Sequence, residues 1–204
     1  MARPRTIDDQ QILTAARDVF LRRGREAPTS VIAREAGVSE GSIFKRFATK
    51  DELFFAAMRP DFPAHVVALA KEPIAAADIR DRLREVGQAL LAFYRELMPR
   101  MLVCWTHPQC DLKAMVHRFD TPPPVAVIEA LADLVARFGA RDGHAAQDPE
   151  VVARALASGI HQFVFLELMQ LSVGQGRFNG DGEAYVGAHV DLLCSALRSE
   201  GAHA

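Results

Sequence analysis

Apolar residues recur through most of the chain at helical spacing, and nowhere do they alternate with polar ones long enough to read as a strand. Ile12, Ala16, Val19 and Phe20 share one helix face. Thr6 with Asp9 has the form of a capping box ahead of them, and Gly24 ends the run. Thr29 to Ala36 predicts a short helix stopped by Gly37, and Ser39 opens another that reaches about Phe47. Thr49 with Glu52 repeats the capping-box pattern and starts a helix with Leu53, Ala56 and Ala57 on one face. Pro60 and Pro63 then interrupt the pattern, so a kink or break is expected at Met58–Phe62, before "AHVVALAKE" resumes it. Longer helices are expected at about 78–98, 124–138, 148–172 and 183–199. The segment from Pro99 to Pro124 reads as irregular, and "VGQGRFNGDG", 173–182, as a glycine-rich connector. These elements predict an all-α chain, with a small N-terminal domain at 1–50 and a helical remainder at 51–204.

Composition narrows the setting. Half of the 204 residues are apolar, enough for a sizeable core. No uninterrupted apolar run is long enough for a membrane span, and "MARPRTIDDQQ" lacks the apolar region of a signal peptide. Three cysteines at irregular spacing argue against a disulfide scaffold, so a reducing cytoplasm is the simplest home. The net charge of −2 hides an asymmetry: residues 1–50 hold ten Lys/Arg and six Asp/Glu, and the rest hold fourteen and twenty. A basic N-terminal module on an acidic body points to a polyanion partner for the module alone.

The stretch "GVSEGSIFKRF", 37–47, admits two chemistries. Its first five letters fit G-x-S-x-G, the nucleophile elbow of serine hydrolases, with Ser39 attacking and His161 or His189 available on paper. That elbow needs a strand before the serine, and "SVIAREA" reads as helix. The alternative is a helix-turn-helix. Gly37 permits a left-handed turn, Val38 fills the space between two helices, and Ser39 caps the second. Ile43 and Phe47 face inward, and Glu40, Gly41, Ser42, Lys45 and Arg46 face outward, the surface such a helix offers to a major groove.

"ILTAARDVFLRRG…TSVIAREAGVSEGSIFKRFATKDELF" resembles the N-terminal domain of the tetracycline-repressor (TetR) family of transcriptional regulators, over about residues 8 to 58. The resemblance implies a three-helix DNA-binding domain and a helical C-terminal domain that dimerises and binds a small molecule. The implied function is that of a homodimeric repressor released from a palindromic operator by a small apolar or aromatic ligand, with no enzymatic activity and no cofactor. It also implies roles by position. Lys45 and Ser42 would read bases and Gly41 would allow close approach. Ser39 would cap the reading helix. Thr29, Ser30, Arg46 and Lys50 would hold phosphates. Phe44 stands where the family usually has tyrosine, which removes a phosphate hydrogen bond. The stretch between Gly24 and Ile32 is one residue shorter than usual, which leaves open whether Thr29 or Ser30 caps its helix. Arg3 and Arg5 would reach the minor groove or the adjacent backbone.

In the remainder, "VVARALASGIHQFVFLELMQL", 151–171, is apolar nearly all round and needs cover on both sides. With a stripe of Val186, Val190, Leu193 and Leu197 beside it, a four-helix dimer interface through about 150–172 and 183–199 is expected. The middle of the chain is rich in Met, aromatic and His residues, and Phe93, Met101, Trp105 and Phe119 are the expected ligand contacts. Cys104, His107, Cys110 and His117 have ligating side chains but match no zinc spacing. Metal or thiol sensing is therefore the alternative, and no metal is expected. The Pro60/Pro63 break is the expected joint through which a ligand would act on the DNA-binding domain.

Overall fold

The computed structural model of the chain describes residues 8–73, 78–142, 148–170 and 180–198. Among these the helices are, in chain order, α1 (Asp9–Arg23), α2 (Thr29–Ala36), α3 (Glu40–Phe44), α4 (Lys50–Met58), α5 (Ala64–Lys71), α6 (Ile79–Trp105), α7 (Leu112–His117), α8 (Pro123–Asp142), α9 (Pro149–Leu168) and α10 (Gly182–Arg198). Among the described residues there is no strand, as the periodicity predicts. The chain packs as two compact units. Residues up to 61 join 99–115 in the first, and 62–98 join those from 116 onward in the second. The packing boundary thus falls after Asp61 rather than after residue 50.

In the first unit, local chemistry sets the helix ends. Asp8 caps α1, its carboxylate accepting the Gln10 N–H at 3.1 Å. Thr6, expected to cap this helix, lies outside the described residues. α2 ends at Gly37 in the left-handed conformation (φ 67°), and the Val38 N–H returns to the Ala33 carbonyl at 2.9 Å. α4 starts on its capping box: Thr49 Oγ1 accepts the Glu52 N–H at 3.0 Å, and the Glu52 carboxylate reaches back to the Ala48 N–H at 2.7 Å. The core joins Ile12, Ala16, Val19 and Phe20 of α1 to Ile32, Ala33 and Ala36 of α2 and to Leu53, Phe54, Ala57 and Met58 of α4. Phe20 and Phe54 meet edge to face, centroids 5.1 Å apart. Burying each ring contributes ~1.5–3 kcal/mol.

The segment expected to be irregular is mostly helical. α6 continues through Pro99 to Trp105, although a proline inside a helix removes one donor and crowds the carbonyl four residues earlier. α7 follows, and α8 begins at Pro123. Residues 99–115 return to the first unit, where Cys104 is buried in the core. The break expected near the prolines is present: α4 stops at Met58, and Pro63 precedes α5.

In the second unit, α8 packs on α9 and α5, and α10 packs on α9. α9 is long and apolar enough to cross a membrane, which the uninterrupted-run criterion missed. Its Val152, Leu156, Ile160 and Val164 nevertheless lie in the core of this unit. α9 ends at Leu168 rather than near Ser172. Most of the glycine-rich connector, together with Leu171 and Ser172, lies outside the described residues. Val186, Val190 and Cys194 of α10 point into their own core, and Leu193 packs against it. The stripe assigned to a partner is therefore half core, because α6 as well as α9 covers that face. Arg80 and Arg84 of α6 converge on Asp191 of α10 at 2.6 and 2.7 Å. Arg137 closes the end of α5, donating to the Ala70 and Glu72 carbonyls at 2.6 and 3.1 Å.

Gly87 sets how closely α6 and α10 approach. A Cβ there would fall 2.7 Å from Val186 Cγ1, a stiff branched side chain with no room to yield. Alanine for glycine inside a helix ordinarily stabilises by ~0.5–1 kcal/mol. Gly87→Ala should instead cost roughly 1–3 kcal/mol through overpacking, read as a lower urea midpoint. A midpoint that stays put or rises would show that the helices do not depend on this contact.

Candidate nucleic-acid interface

α2, the turn at Gly37 and α3 form the unit that the sequence reading picked out. α3 is one turn and a half long, shorter than expected, and Lys45 is its C-cap. Three contacts hold it. Ile43 and Phe47 are buried in the first unit's core, and Val38 packs partly against the same core. Ser39 caps it, Oγ accepting the Ser42 N–H at 3.1 Å and pairing with Ser42 Oγ at 2.9 Å. Gln11 of α1 donates to the Ala36 carbonyl at 2.8 Å and ties α1 to the end of α2.

This geometry removes the elbow. Ser39 follows a helix and a left-handed turn rather than a strand, and its oxygen is used as a helix cap. His189 Nε2 faces the Ala155 carbonyl at 3.0 Å, and the His161 ring lies edge-on to Tyr94, each within the second unit.

The exposed side of α3 carries Glu40, Gly41, Phe44 and Lys45, with Ser42 half-buried beside them. Gly41 has an ordinary helical φ. A Cβ on it would meet only Ser39 Oγ, at 3.8 Å, an ordinary contact. Nothing inside the protein requires a glycine there, although glycine weakens so short a helix. Phe44 is 42% exposed, an aromatic ring turned to solvent. Lys45 is exposed and, among the described residues, has no partner. Arg46 differs: its Nε donates to Asp9 and one terminal nitrogen to the Ser42 carbonyl at 3.2 Å, so it braces α3 against the start of α1. Lys50 is half-buried at the first position of α4.

Neither Thr29 nor Ser30 caps α2. Pro28 is the N-cap and offers no side-chain bond, and Thr29 is the first helical residue. The Thr29 hydroxyl donates to Glu40 Oε2 at 2.9 Å, a link between α2 and α3 that spacing alone did not reveal. Ser30 is exposed. Arg3 and Arg5 lie outside the described residues.

The proposed ligand contacts divide between the units. Met101 and Trp105 belong to the first, where Trp105 is 54% exposed; Phe93 and Phe119 belong to the second. Phe93 lies beside Tyr94, whose phenol burial pushes up to about 12. Phe119 meets Phe62 at 5.7 Å and carries the Arg118 guanidinium 4.5 Å over its ring.

Cys104, His107, Cys110 and His117 are not gathered into one cluster. Among the described residues no group of three or more candidate ligands comes together. Both His107 nitrogens are engaged: Nδ1 accepts the Gln109 N–H at 3.1 Å, so Nε2 donates to Asp51 at 3.2 Å, and the ring stacks on Phe54. Burial pushes the Cys104 thiol up to about 12 and also raises Cys110, so neither supplies thiolate near neutral pH. His107 is a packing residue that joins the segment after α6 to the start of α4.

Comparison with known proteins places this geometry. Residues 12–57 match the family model described as bacterial regulatory proteins, tetR family. The chain is 29% identical over 152 residues to the HTH-type transcriptional activator FasR of Mycolicibacterium smegmatis, covering 71% of this chain and 66% of that protein. It thus spans just under two thirds of that relative's length. A TetR-family regulator from Mesorhizobium loti superposes with a TM-score of 0.65 at 19% identity, over 92% of this chain and 95% of the other. The regulator FadR from Bacillus subtilis, solved in complex with stearoyl-CoA, gives 0.62 at 18%, over 92% and 98%.

Gly41 separates a structural role from a recognition role. Gly41→Ala should raise stability by ~0.5–1 kcal/mol, because the site is open and helical. It should also weaken binding to specific duplex DNA at least tenfold, since a methyl group would stand between α3 and the base edges. Thermal melting and fluorescence anisotropy measure the two halves. A variant that is both more stable and fully active would remove close approach as the reason for this glycine.

Proposed function

We propose that this chain, a TetR-family transcriptional regulator, is a cytoplasmic homodimeric repressor that a small ligand releases from a palindromic operator. The observation that carries the DNA half is the surface of α3. It has a glycine with no internal purpose, an unpaired lysine beside it and an underside locked into the core. Lys45 and Ser42 then serve as base readers, lysine being suited to guanine O6 and N7. Ser30, Arg46 and Lys50 serve as phosphate contacts that set register. Phe44 contributes apolar contact where a tyrosine would add a phosphate bond.

Dimerisation is supported by what α9 and α10 leave uncovered. Val151 of α9, Met169 at its C-cap and Leu192 of α10 are large, apolar and exposed. They sit on the outer faces of two helices whose inner faces are core. Palindromic DNA matches a two-fold dimer with one α3 per half-site.

For the ligand, the stearoyl-CoA bound by FadR supports an apolar acyl chain as the chemical class, with Phe93 and Phe119 of the second unit as its contacts. The ligand acts by preferring the conformation that disfavours DNA, since only differential affinity shifts an equilibrium. The sign of regulation has a second reading. FasR is named an activator, and the same DNA-binding surface activates or represses according to where its operator lies. In vitro transcription from the promoter flanking the gene, with and without the protein, decides between them.

The DNA assignment is tested by salt titration of binding to operator and to random duplex. Lys45→Ala should lose ~1–3 kcal/mol on the operator only. Arg46→Ala and Lys50→Ala should weaken both DNAs alike, with a salt slope shallower by about one ion per contact. A Lys45→Ala protein equally impaired on both would not be missing a base reader.

The dimer face is tested with Leu192→Glu. Leu192 is 64% exposed in the protomer, so the substitution should leave the melting of the subunit nearly unchanged. In a dimer it would bury an unpaired carboxylate at a cost of several kcal/mol. Sedimentation should show monomers, and operator affinity should collapse. Leu193→Glu is a poorer probe, because Leu193 packs against its own core. A Leu192→Glu protein that remains dimeric would place the interface elsewhere.

A further inference from the structure

Glu40 is an acid on the surface assigned to a polyanion. It is the first residue of α3, exposed, between the Ser39 cap and Gly41. A carboxylate at a helix N-terminus is favourable to the helix dipole, but that effect is small and needs no particular side-chain direction. Here the direction is fixed. Thr29, at the first position of α2, donates its hydroxyl proton to Glu40 Oε2 at 2.9 Å. Among the described residues Glu40 has no ion pair with a lysine or arginine, and its side-chain partner is the neutral Thr29 hydroxyl.

We propose that Glu40 is a specificity-determining base reader that selects cytosine in each half-site, with Thr29 as its positioning residue. This rests on the DNA-binding reading above. In the major groove a carboxylate can only accept, and the cytosine N4 amine is the donor that suits it. Guanine O6 and N7 and thymine O4 are acceptors and repel it, and adenine sets its N7 acceptor beside the N6 amine, which makes it a poorer partner than cytosine. The nearby phosphates repel it on every sequence. Glu40 therefore lowers affinity for DNA in general and recovers the loss only opposite cytosine, so it discriminates by penalty more than by attraction. Thr29 holds the carboxylate before DNA arrives, which reduces the rotamer freedom lost on binding. A threonine hydroxyl has a single proton to donate, so while Thr29 serves Glu40 the phosphate at the start of α2 falls to the exposed Ser30. This separates the roles of two neighbouring residues that the sequence left equivalent.

The test is selection from a randomised duplex library by the full-length protein and by Glu40→Gln, Glu40→Ala, Thr29→Ser and Thr29→Val, with affinities then measured on the wild-type consensus and on versions altered at one column. Circular dichroism melting confirms that each variant folds, and Glu40→Gln keeps the side-chain shape. The wild type should show one cytosine column per half-site, and changing that base should cost roughly 5- to 150-fold. Glu40→Ala should make that column indifferent to within about twofold and raise affinity for random duplex. Glu40→Gln should move it to adenine, because the amide offers a donor and an acceptor. Thr29→Ser should keep the column, whereas Thr29→Val should blunt it and leave the others intact. If both Glu40 variants select the wild-type consensus, the proposal is overturned while the DNA-binding reading stands. If the wild type enriches no sequence, the DNA-binding reading fails and the proposal fails with it.

Discussion

A five-residue helix cannot hold itself together in water, because the hydrogen bonds it closes do not offset the ordering of its first turn. What depends on this is the surface α3 presents. α3 exists because Ile43 and Phe47 are buried beneath it, and they are buried because α1 and α4 meet around Phe20 and Phe54. The Ser39 cap and the Arg46 brace to Asp9 fix the two ends. The Lys45 side chain and Gly41 can then be aimed at a partner without taking part in holding the helix. The division is physical: apolar burial supplies the stability, and the exposed residues are left to chemistry.

The glycines show how one residue type answers different constraints. Gly37 is needed for its positive φ, which no side chain at that turn would adopt cheaply. Gly87 is needed for space, because α10 lies where its Cβ would stand. Gly41 has neither reason within the chain, which turns attention to what approaches from outside. A sequence presents all three as the same letter. Only the backbone angle and the neighbouring atoms separate them.

Periodicity and turn chemistry made the first unit legible. α1, α2 and α4 start or stop within a residue or two of where glycine, serine and the second capping box put them. Legibility fails where tertiary contact decides. Nothing local says that 99–115 returns to pack with α1 and α4, and Pro99 reads as a break although the helix passes through it. The stripe on α10 was assigned to a partner because one helix period cannot tell which of two apolar neighbours it faces; Val186 and Val190 face their own core. The Cys and His residues near 104–117 were read by type, and their roles came from burial and from the bonds His107 makes. The Thr29–Glu40 pair, eleven residues apart across a turn, was invisible for the same reason.

The return of 99–115 also changes how coupling between the units must be considered. The sequence offered one crossing, the proline-flanked connector after α4, as the joint. The chain in fact passes between units at 61/62, again at 98/99 and again at 115/116. The first crossing is the non-helical segment from Arg59 to Pro63, where Arg100 donates to the Arg59 carbonyl at 3.3 Å and to Asp61 at 3.1 Å. The second lies inside α6, where consecutive peptide bonds are held by the helix ladder with one donor missing at Pro99. The end of α6 leads to His107, which bonds Asp51 in the first turn of α4 and stacks on Phe54, the ring on which α1 and α4 close. The segment that leaves α6 therefore belongs to the same core that seats α3, which no local pattern between 99 and 115 announces.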